Sequence, residues 1–166
     1  GSIWRCQDHL DLVIQYYQKD KIIMFDGEDG VSLHPLALQG FPYFKREMER
    51  KFDEKLYPIS FSIPKSKFID SVAELVKTKD FATVIPYKTE TYIFENAEDY
   101  RKDYQNSYFG VTMRKAGWDC MRHYEILANG CIPYFPDIDS CPFYTMYNFP
   151  KELVKKANKL TNGFDI

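Results

Sequence analysis

A short stretch in the second half of the chain combines cationic side chains with a glycine at a place suited to anion binding. Arg114, Lys115 and Gly117 follow a run of apolar and β-branched residues and precede a run with helical periodicity. The first turn of a helix exposes unpaired N–H groups and carries the positive end of the helix dipole, so two cations and a glycine there favour an anion. The pattern predicts a phosphate or diphosphate site at the start of this helix.

The same helix is expected to carry charged side chains along one flank. Asp119, Arg122 and Glu125 recur at intervals of three residues, so in a helix they share a face. An arginine can donate paired hydrogen bonds to a phosphate, and an acidic side chain can accept hydrogen bonds from a ribose diol. The alternative is a row of exposed salt bridges, which is the commoner meaning of this spacing. Spacing alone favours the salt-bridge interpretation.

Two buried strands are predicted to flank this helix. Residues 108–113 and 131–135 form short apolar, β-branched runs, and Asn129-Gly130 supplies the left-handed conformation that commonly ends a helix. A strand, a helix of about twelve residues and a second strand form the crossover of a βαβ unit. The central unit therefore predicts parallel strand pairing.

Further elements are predicted on either side of this unit. Helical periodicity is found at residues 6–19, 66–79, 95–105 and 150–160. Apolar strands or extended segments are expected at residues 21–25, 57–64 and 81–86. This alternation is typical of a three-layer α/β domain with a mainly parallel sheet.

The length of the chain sets the expected domain organisation. A chain of 166 residues suffices for one domain and is too short for two of ordinary size, so residues 1–166 are expected to form a single domain. Gly1-Ser2 has the composition of a cloning remnant, and we expect the remainder to be a piece of a longer protein.

Residues 107–135 resemble a known family. The pattern Ser-x-Phe-Gly, followed by Arg-x-x-Glu-x-x-x-x-Gly-Cys-Ile-Pro, is similar to the nucleotide-sugar-binding core of exostosin-like glycosyltransferases and, more loosely, of the GT-B superfamily. The fuller run from Lys115 to Phe135 resembles glycosyltransferase-like proteins of bacteria and large DNA viruses. The resemblance implies a Rossmann-like domain equivalent to one half of a GT-B enzyme, whose active site lies between two such halves.

The resemblance also implies an activity. It implies a glycosyltransferase, or its donor-binding domain, that binds a UDP- or GDP-linked sugar for transfer to an acceptor such as a glycan. The general base then belongs to the other half, so a partner domain or a homo-oligomer is expected. The alternative is a non-catalytic nucleotide-binding, sugar-binding or assembly module that retains the fold.

Particular residues of this chain take roles from the resemblance. Glu125 is expected to hold the ribose, and Arg114, Lys115 and Arg122 are expected to stabilise the diphosphate as it departs, which would make them catalytic. The remaining expected nucleotide-sugar ligands are Gly117, Asp119, His123, Lys45 and Arg46. His123 could equally be a helix histidine packed on a neighbour.

Lys45 and Arg46 occur in a second shared pattern. Phe-Lys-Arg-Glu at residues 44–47 and Pro-x-Ser-Phe at residues 58–61 recur in the family in this order. A solvated charge cluster is an equally good interpretation of Lys45 and Arg46. The mixed-charge run at residues 47–54 is predicted to be exposed.

An acidic turn follows the strand expected at residues 21–25. Asp26, Glu28 and Asp29 could hold Mg²⁺ or Mn²⁺, as carboxylates around a turn do in some sugar-nucleotide enzymes. The strict Asp-x-Asp pattern is absent because Glu28 stands in place of the second Asp. A solvated turn is therefore favoured, and we expect metal-independent chemistry with no metal ligands.

The composition of the chain argues against several classes of protein. A net charge of −2 argues against nucleic-acid binding, and no apolar run is long enough to span a membrane. Aromatic residues make up 17% of the chain, which is consistent with a self-association surface as well as a core. The four cysteines form no CxxC pair, and only Cys131 and Cys141 look able to pair, so we expect a soluble cytoplasmic protein with reduced thiols.

Overall fold

The computed structural model describes residues 7–161, apart from the side chains of Gln7, Asp8, Leu10 and Leu36. Gly1-Ser2, Cys6 and the start of the first predicted helix lie outside the described residues. The described chain divides into two compact units, each treated separately below. Unit 1 contains residues 7–60, 115–119 and 141–149, and unit 2 contains residues 61–114, 120–140 and 150–161. That residues 1–166 form a single nucleotide-sugar-binding domain stays a prediction.

Unit 1 contains one helix, α1, and a three-stranded parallel sheet in the order β1-β2-β3. The elements are α1 (Gln7–Tyr16), β1 (Met24–Asp26), β2 (Tyr43–Lys45) and β3 (Leu56–Pro58). The chain between β1 and β3 contains a short 3₁₀ turn at Pro35–Leu38 and no α-helix.

The two faces of the β1-β2-β3 sheet differ. One face buries Met24, Tyr43 and Leu56, which pack with other apolar residues into the core of unit 1. The opposite face carries Phe25, Phe44 and Tyr57 in register, with neighbouring ring centroids 5.1 and 5.0 Å apart. The alternation follows from the period of two in a strand.

Unit 2 has a second three-stranded parallel sheet, in the order β4-β5-β6, and three helices. The elements are β4 (Lys79–Phe81), α2 (Ala97–Gln105), β5 (Ser107–Val111), α3 (Met121–Ala128), β6 (Ile132–Tyr134) and α4 (Lys151–Asn158). The Asn96 side chain caps the start of α2 by accepting the Asp99 N–H, as an N-cap asparagine should.

The βαβ unit predicted around α3 is confirmed. Strands β5 and β6 pair in parallel, with Phe109 opposite Ile132, and α3 lies between them in sequence. The glycine that ends α3, Gly130, has a φ of 65°, which is the predicted left-handed conformation. The helix is shorter than expected, because it begins at Met121.

The α/β class with parallel pairing is confirmed and is consistent with a Rossmann-like fold, although the strands form two sheets where one was expected. The predicted helices at residues 95–105 and 150–160 are present as α2 and α4, and α1 covers the described part of the helix expected at residues 6–19. The strands expected at residues 21–25 and 57–64 overlap the short strands β1 and β3. The strand expected at residues 81–86 is not formed there, because β4 ends at Phe81.

The prediction of a helix at residues 66–79 is wrong, because the structure has no α-helix there. A 3₁₀ turn at Lys65–Lys67 is followed by irregular chain, in which the Ile69 N–H donates to the Ala128 carbonyl. The Lys77 ammonium donates to the carbonyls of Tyr104, Gln105 and Gly130. The segment therefore has helical spacing, but its polar contacts are with the ends of α2 and α3, and tertiary contact overrides local propensity.

Across residues 7–161, no helix has the length and apolar composition needed to cross a bilayer.

Candidate functional site

The flank of α3 carries the two predicted ligands that the structure brings together, Arg122 and Glu125. Both are partly buried and lie one turn apart in unit 2, as their spacing predicts. The Arg122 guanidinium lies over the ring of Tyr92, 5.5 Å from its centroid, and Nη2 donates to the Tyr92 hydroxyl at 3.1 Å. Its Nε is buried and has no hydrogen-bond partner.

An unpaired Nε gives this flank a donor that a ligand could use. A buried donor without an acceptor is unfavourable, so an oxygen placed beside Arg122 would gain a charge-assisted hydrogen bond. Burial alone would lower the pKa of Arg122. The nearby tyrosine hydroxyls, chiefly those of Tyr100 and Tyr92, together raise it by more than burial lowers it, so the net shift of this pKa is upward. The guanidinium therefore stays cationic.

Two tyrosines of α2 lie behind Glu125. The Tyr104 hydroxyl donates to the Tyr100 hydroxyl at 3.0 Å, and the Tyr100 hydroxyl lies 3.5 Å from Glu125 Oε2. The sequence signal was the separation of four residues between the two tyrosines, which places them on one face of α2. That spacing predicts a shared face but not its partner, so neither tyrosine was identified as a site residue.

His123 lies inside unit 2. The side chain is fully buried, with Nδ1 2.7 Å from Thr112 Oγ1 and the ring packed on Phe135 at a centroid distance of 4.7 Å. This arrangement matches the alternative prediction for His123, that of a helix histidine packed on a neighbour. A side chain with no exposed surface does not reach a ligand on the flank of α3.

Asp119 does not share the flank of α3 with Arg122 and Glu125, so that prediction is wrong. The helix begins two residues later, at Met121, because Cys120 is extended with φ −148° and ψ 149°. Asp119 belongs to unit 1, where its N–H donates to Glu47 Oε1 at 2.8 Å and its carbonyl accepts from Arg46 Nη1 at 2.5 Å. These bonds hold the residue outside the helix.

Gly117 also lies against Glu47. A methyl group at Gly117 would come 2.7 Å from Glu47 Oε1 and 3.0 Å from Asp29 Oδ1. The glycine allows close packing within unit 1, since a side chain here would displace the Glu47 carboxylate. Its predicted role in the approach of a ligand stays a prediction.

Arg114 and Lys115, the predicted diphosphate residues at the end of β5, have exposed side chains. Arg114 belongs to unit 2, and its carbonyl accepts from the Tyr87 hydroxyl at 3.4 Å. Lys115 belongs to unit 1. Their catalytic role stays a prediction.

Lys45 and Arg46 are buried at the carboxyl end of β2, with 0% and 4% of their surface exposed. Lys45 Nζ pairs with Asp26 Oδ1 at 3.0 Å, and the Tyr43 hydroxyl donates to Asp26 Oδ2. Burial, followed by the hydrogen bond to Asp26, raises the pKa of Tyr43, which keeps the hydroxyl protonated. The solvated-cluster interpretation is wrong for both cations.

Arg46 joins three segments of unit 1. Its Nε and Nη2 donate to the Gly27 carbonyl at 3.0 and 2.9 Å, Nη2 pairs with Asp29, and Nη1 lies 3.2 Å from Glu47 Oε1. Together with its bond to the Asp119 carbonyl, these contacts use the whole guanidinium fork within the protein. A phosphate ligand would have to replace them.

Glu47 was predicted to be exposed and is 1% exposed. Burial raises the pKa of Glu47 above its ordinary value of 4.5, while the N–H groups of Asp119 and Trp118 and the charge of Arg46 oppose the shift. Its position beside Arg46 in the Phe-Lys-Arg-Glu pattern was the sequence signal that could have identified it.

The acidic turn after β1 is largely occupied by cations of unit 1. Asp26 pairs with Lys45, and Asp29 pairs with Arg46. Within the described residues, no group of three or more histidine, cysteine or carboxylate side chains is arranged to hold a metal ion. The weak alternative of Mg²⁺ or Mn²⁺ at Asp26, Glu28 and Asp29 therefore has no preformed ligand set there.

Cys120, Cys131 and Cys141 are free thiols. Burial raises the pKa of Cys131 to about 12, so its thiolate is scarcely populated near neutral pH.

Comparison of the chain with protein-family models, with curated proteins and with solved structures finds no match. The resemblance to glycosyltransferases therefore rests on the sequence patterns alone, chiefly on residues 107–135.

Proposed function

We propose that the chain is the nucleotide-sugar-binding domain of a glycosyltransferase, equivalent to the donor half of a GT-B enzyme. The observation that carries the proposal is the pair on α3: Arg122, whose buried Nε has no partner, and Glu125 one turn further along. The arginine supplies a cationic donor for a diphosphate, and the glutamate supplies an acceptor for ribose hydroxyls. The ligand class is a UDP- or GDP-linked sugar.

The same flank suits the chemistry of glycosyl transfer. The transition state resembles an oxocarbenium ion, and negative charge develops on the departing diphosphate. A fixed guanidinium stabilises that charge without a metal, as preorganised donors do in other enzymes. Arg114, which is exposed beyond β5 in the same unit, would add to the positive charge. The acceptor's general base would come from a partner domain or a second copy of the chain.

A non-catalytic nucleotide-sugar module is the second candidate function. It is favoured by the pairing of Lys45 and Arg46 with Asp26 and Asp29, because two cations that the family resemblance assigns to the donor phosphates are already neutralised. Such a module would bind the donor and release no product.

Calorimetric titration with UDP, GDP and their sugar conjugates, with and without Mn²⁺, tests the proposal. We expect metal-independent binding of one nucleotide. Glu125→Gln should weaken that binding by about tenfold or more, which corresponds to roughly 1.4 kcal/mol. Glu152→Gln, at an exposed glutamate on α4 of the same unit, is the matched control and should bind as wild type does.

The outcomes separate the candidate functions. Release of free UDP or GDP from a sugar nucleotide during incubation supports the transferase, whereas binding without release is expected of the module and equally of a donor half that lacks its general base. Binding that is insensitive to both Glu125→Gln and Arg122→Met would contradict a site on the α3 flank. Absence of binding to every nucleotide would contradict donor binding by this chain.

A further inference from the structure

Tyr100 is held in a fixed position beside the predicted ribose ligand. Its ring packs edge-on against Tyr104, with centroids 4.9 Å apart, and against Phe94 at 6.2 Å. Tyr104 is fully buried in the core of unit 2 with Ile126, which comes from α3. Because the rings are fixed on α2 and against α3, the position of the Tyr100 hydroxyl is set by the fold rather than by solvent.

The hydroxyl groups form an ordered chain that ends at Glu125. Tyr104 donates to Tyr100 at 3.0 Å, which leaves the Tyr100 hydrogen directed to Glu125 Oε2 at 3.5 Å. A carboxylate only accepts hydrogen bonds, so the direction of donation is fixed at this end. Burial raises the pKa of Tyr100, and it remains a donor near neutral pH.

This contact constrains a side chain that would otherwise be adaptable. A glutamate side chain has several rotatable bonds. Without a hydrogen-bond partner, the Glu125 carboxylate would sample several rotamers instead of one. A carboxylate accepts about four hydrogen bonds, so donation by Tyr100 leaves capacity for two hydroxyls of a vicinal diol. The 3.5 Å separation is at the long end for a hydrogen bond, and such contacts often shorten when a ligand binds.

We infer that Tyr100 is a positioning residue that orients Glu125 to recognise the 2′,3′-diol of a ribose, so that the chain discriminates against 2′-deoxyribonucleotides. This inference rests on the proposed function, because it takes the α3 flank as the donor site. The physical basis is that a site built to hydrogen-bond a hydroxyl is left with an unpaired polar group when the hydroxyl is missing. Tyr100 acts through Glu125 and does not itself touch the donor.

The test compares ribonucleotides with 2′-deoxyribonucleotides by calorimetry. Whichever of UDP and GDP binds is titrated beside its 2′-deoxy counterpart into wild type, Tyr100→Phe, Glu125→Gln and the double variant. We expect wild type to prefer the ribonucleotide, and Tyr100→Phe to weaken ribonucleotide binding by about fivefold with little change for the 2′-deoxy form. The two single substitutions should be non-additive, because Tyr100 acts through Glu125.

Two further variants test whether the loss of binding comes from a change in folding rather than from the position of Glu125. Tyr108→Phe removes an exposed hydroxyl from β5 of the same unit and should keep the wild-type preference. Tyr100→Phe leaves the buried Tyr104 hydroxyl without its acceptor, so Tyr100→Phe with Tyr104→Phe removes both groups and avoids an unpaired donor. The double phenylalanine variant should show the same loss of preference.

Each result decides the inference. An equal loss for ribonucleotide and 2′-deoxyribonucleotide would show a general structural role for Tyr100 and overturn the inference. An unchanged preference in both phenylalanine variants would also overturn it, while leaving the proposed function intact if Glu125→Gln still weakens binding. If wild type binds no nucleotide, the proposed function fails and the inference fails with it.

Discussion

The charged residues at the carboxyl ends of β1 and β2 contribute chiefly to the stability of unit 1. Asp26 and Lys45 are opposite each other in register, and their buried pair is completed by the Tyr43 hydroxyl. Breaking a buried pair by removing one partner typically costs about 3–5 kcal/mol, because the other charge is left uncompensated. The ligand role predicted for Lys45 stays a prediction, and a ligand there would have to replace its pair with Asp26.

Deprotonation of the buried Glu47 carboxyl group should lower the stability of the protein as the pH rises. Burial raises its pKa above the ordinary value of 4.5, so the folded protein keeps this proton to a higher pH than the unfolded chain does. Between the two pKa values the folded state binds more protons, and the free energy of unfolding falls as pH rises. A separation of one pH unit between them corresponds to about 1.4 kcal/mol.

Glu47→Gln tests this pH dependence, since the amide keeps an oxygen to accept the Asp119 N–H. Urea unfolding at a series of pH values on either side of 4.5 should show the variant gaining stability relative to wild type as pH rises, then levelling off. The control is Glu49→Gln, at an exposed neighbour, for which the difference should stay constant. A variant that loses stability relative to wild type over this range would contradict the expected sign.

At the scale of elements, the periodicity of the sequence predicted those helices and strands whose formation depends on neighbouring residues. The βαβ unit around α3, the end of that helix at Gly130 and the shared face of Arg122 and Glu125 all follow from spacing and from the conformational freedom of glycine. Helix α2 was predicted for the same reason.

What spacing could not predict depends on contacts between distant residues. Helix α3 begins late because the backbone of Asp119 bonds to Arg46 and Glu47, which are more than 70 positions earlier. Segment 66–79 has a helical pattern, yet Lys77 bonds the carbonyls at the ends of α2 and near Gly130. The Tyr100 contact with Glu125 likewise requires two helices to pack together.

The C-terminal end of α3 should be intolerant of a side chain at Gly130. The residue has a φ of 65°, and an added methyl would lie 2.7 Å from Leu75 Cδ1 and 2.9 Å from Ile69 Cδ1. Strain in the backbone and crowding of segment 66–79 act together, so Gly130→Ala should lower the free energy of unfolding by about 2–4 kcal/mol.

Denaturant unfolding of Gly130→Ala beside Gly30→Ala measures this effect. Gly30 has no atom within 4 Å of an added methyl and lacks a positive φ, so its substitution should change stability little. Equal stability of the two variants would show that neither the backbone strain at Gly130 nor the crowding of segment 66–79 costs stability.

At the scale of the whole molecule, each unit is assembled from separate stretches of the chain. Unit 1 contains all of β1, β2 and β3 within its first stretch, and it also includes residues 115–119 and 141–149. The Met48 N–H donates to Thr145 Oγ1 at 2.8 Å, and that hydroxyl donates back to the Met48 carbonyl at 3.0 Å. We therefore expect the fold of the sheet to depend on residues that follow it by a long interval.

A fragment that ends at Ser60 should consequently not fold, although it contains a complete sheet. Glu47 would lose the Asp119 N–H and Met48 would lose both bonds to Thr145, and each buried polar group left unpaired costs about 1–3 kcal/mol. So short a chain buries too little surface to offset this loss. We expect the fragment to show no cooperative urea transition and poorly dispersed amide resonances, whereas the full chain shows both a transition and dispersion. A fragment that unfolds cooperatively would mean that the β1-β2-β3 sheet is stable without the later stretches, and that the bonds of Arg46 and Glu47 to Asp119 order residues 117–119 rather than the sheet.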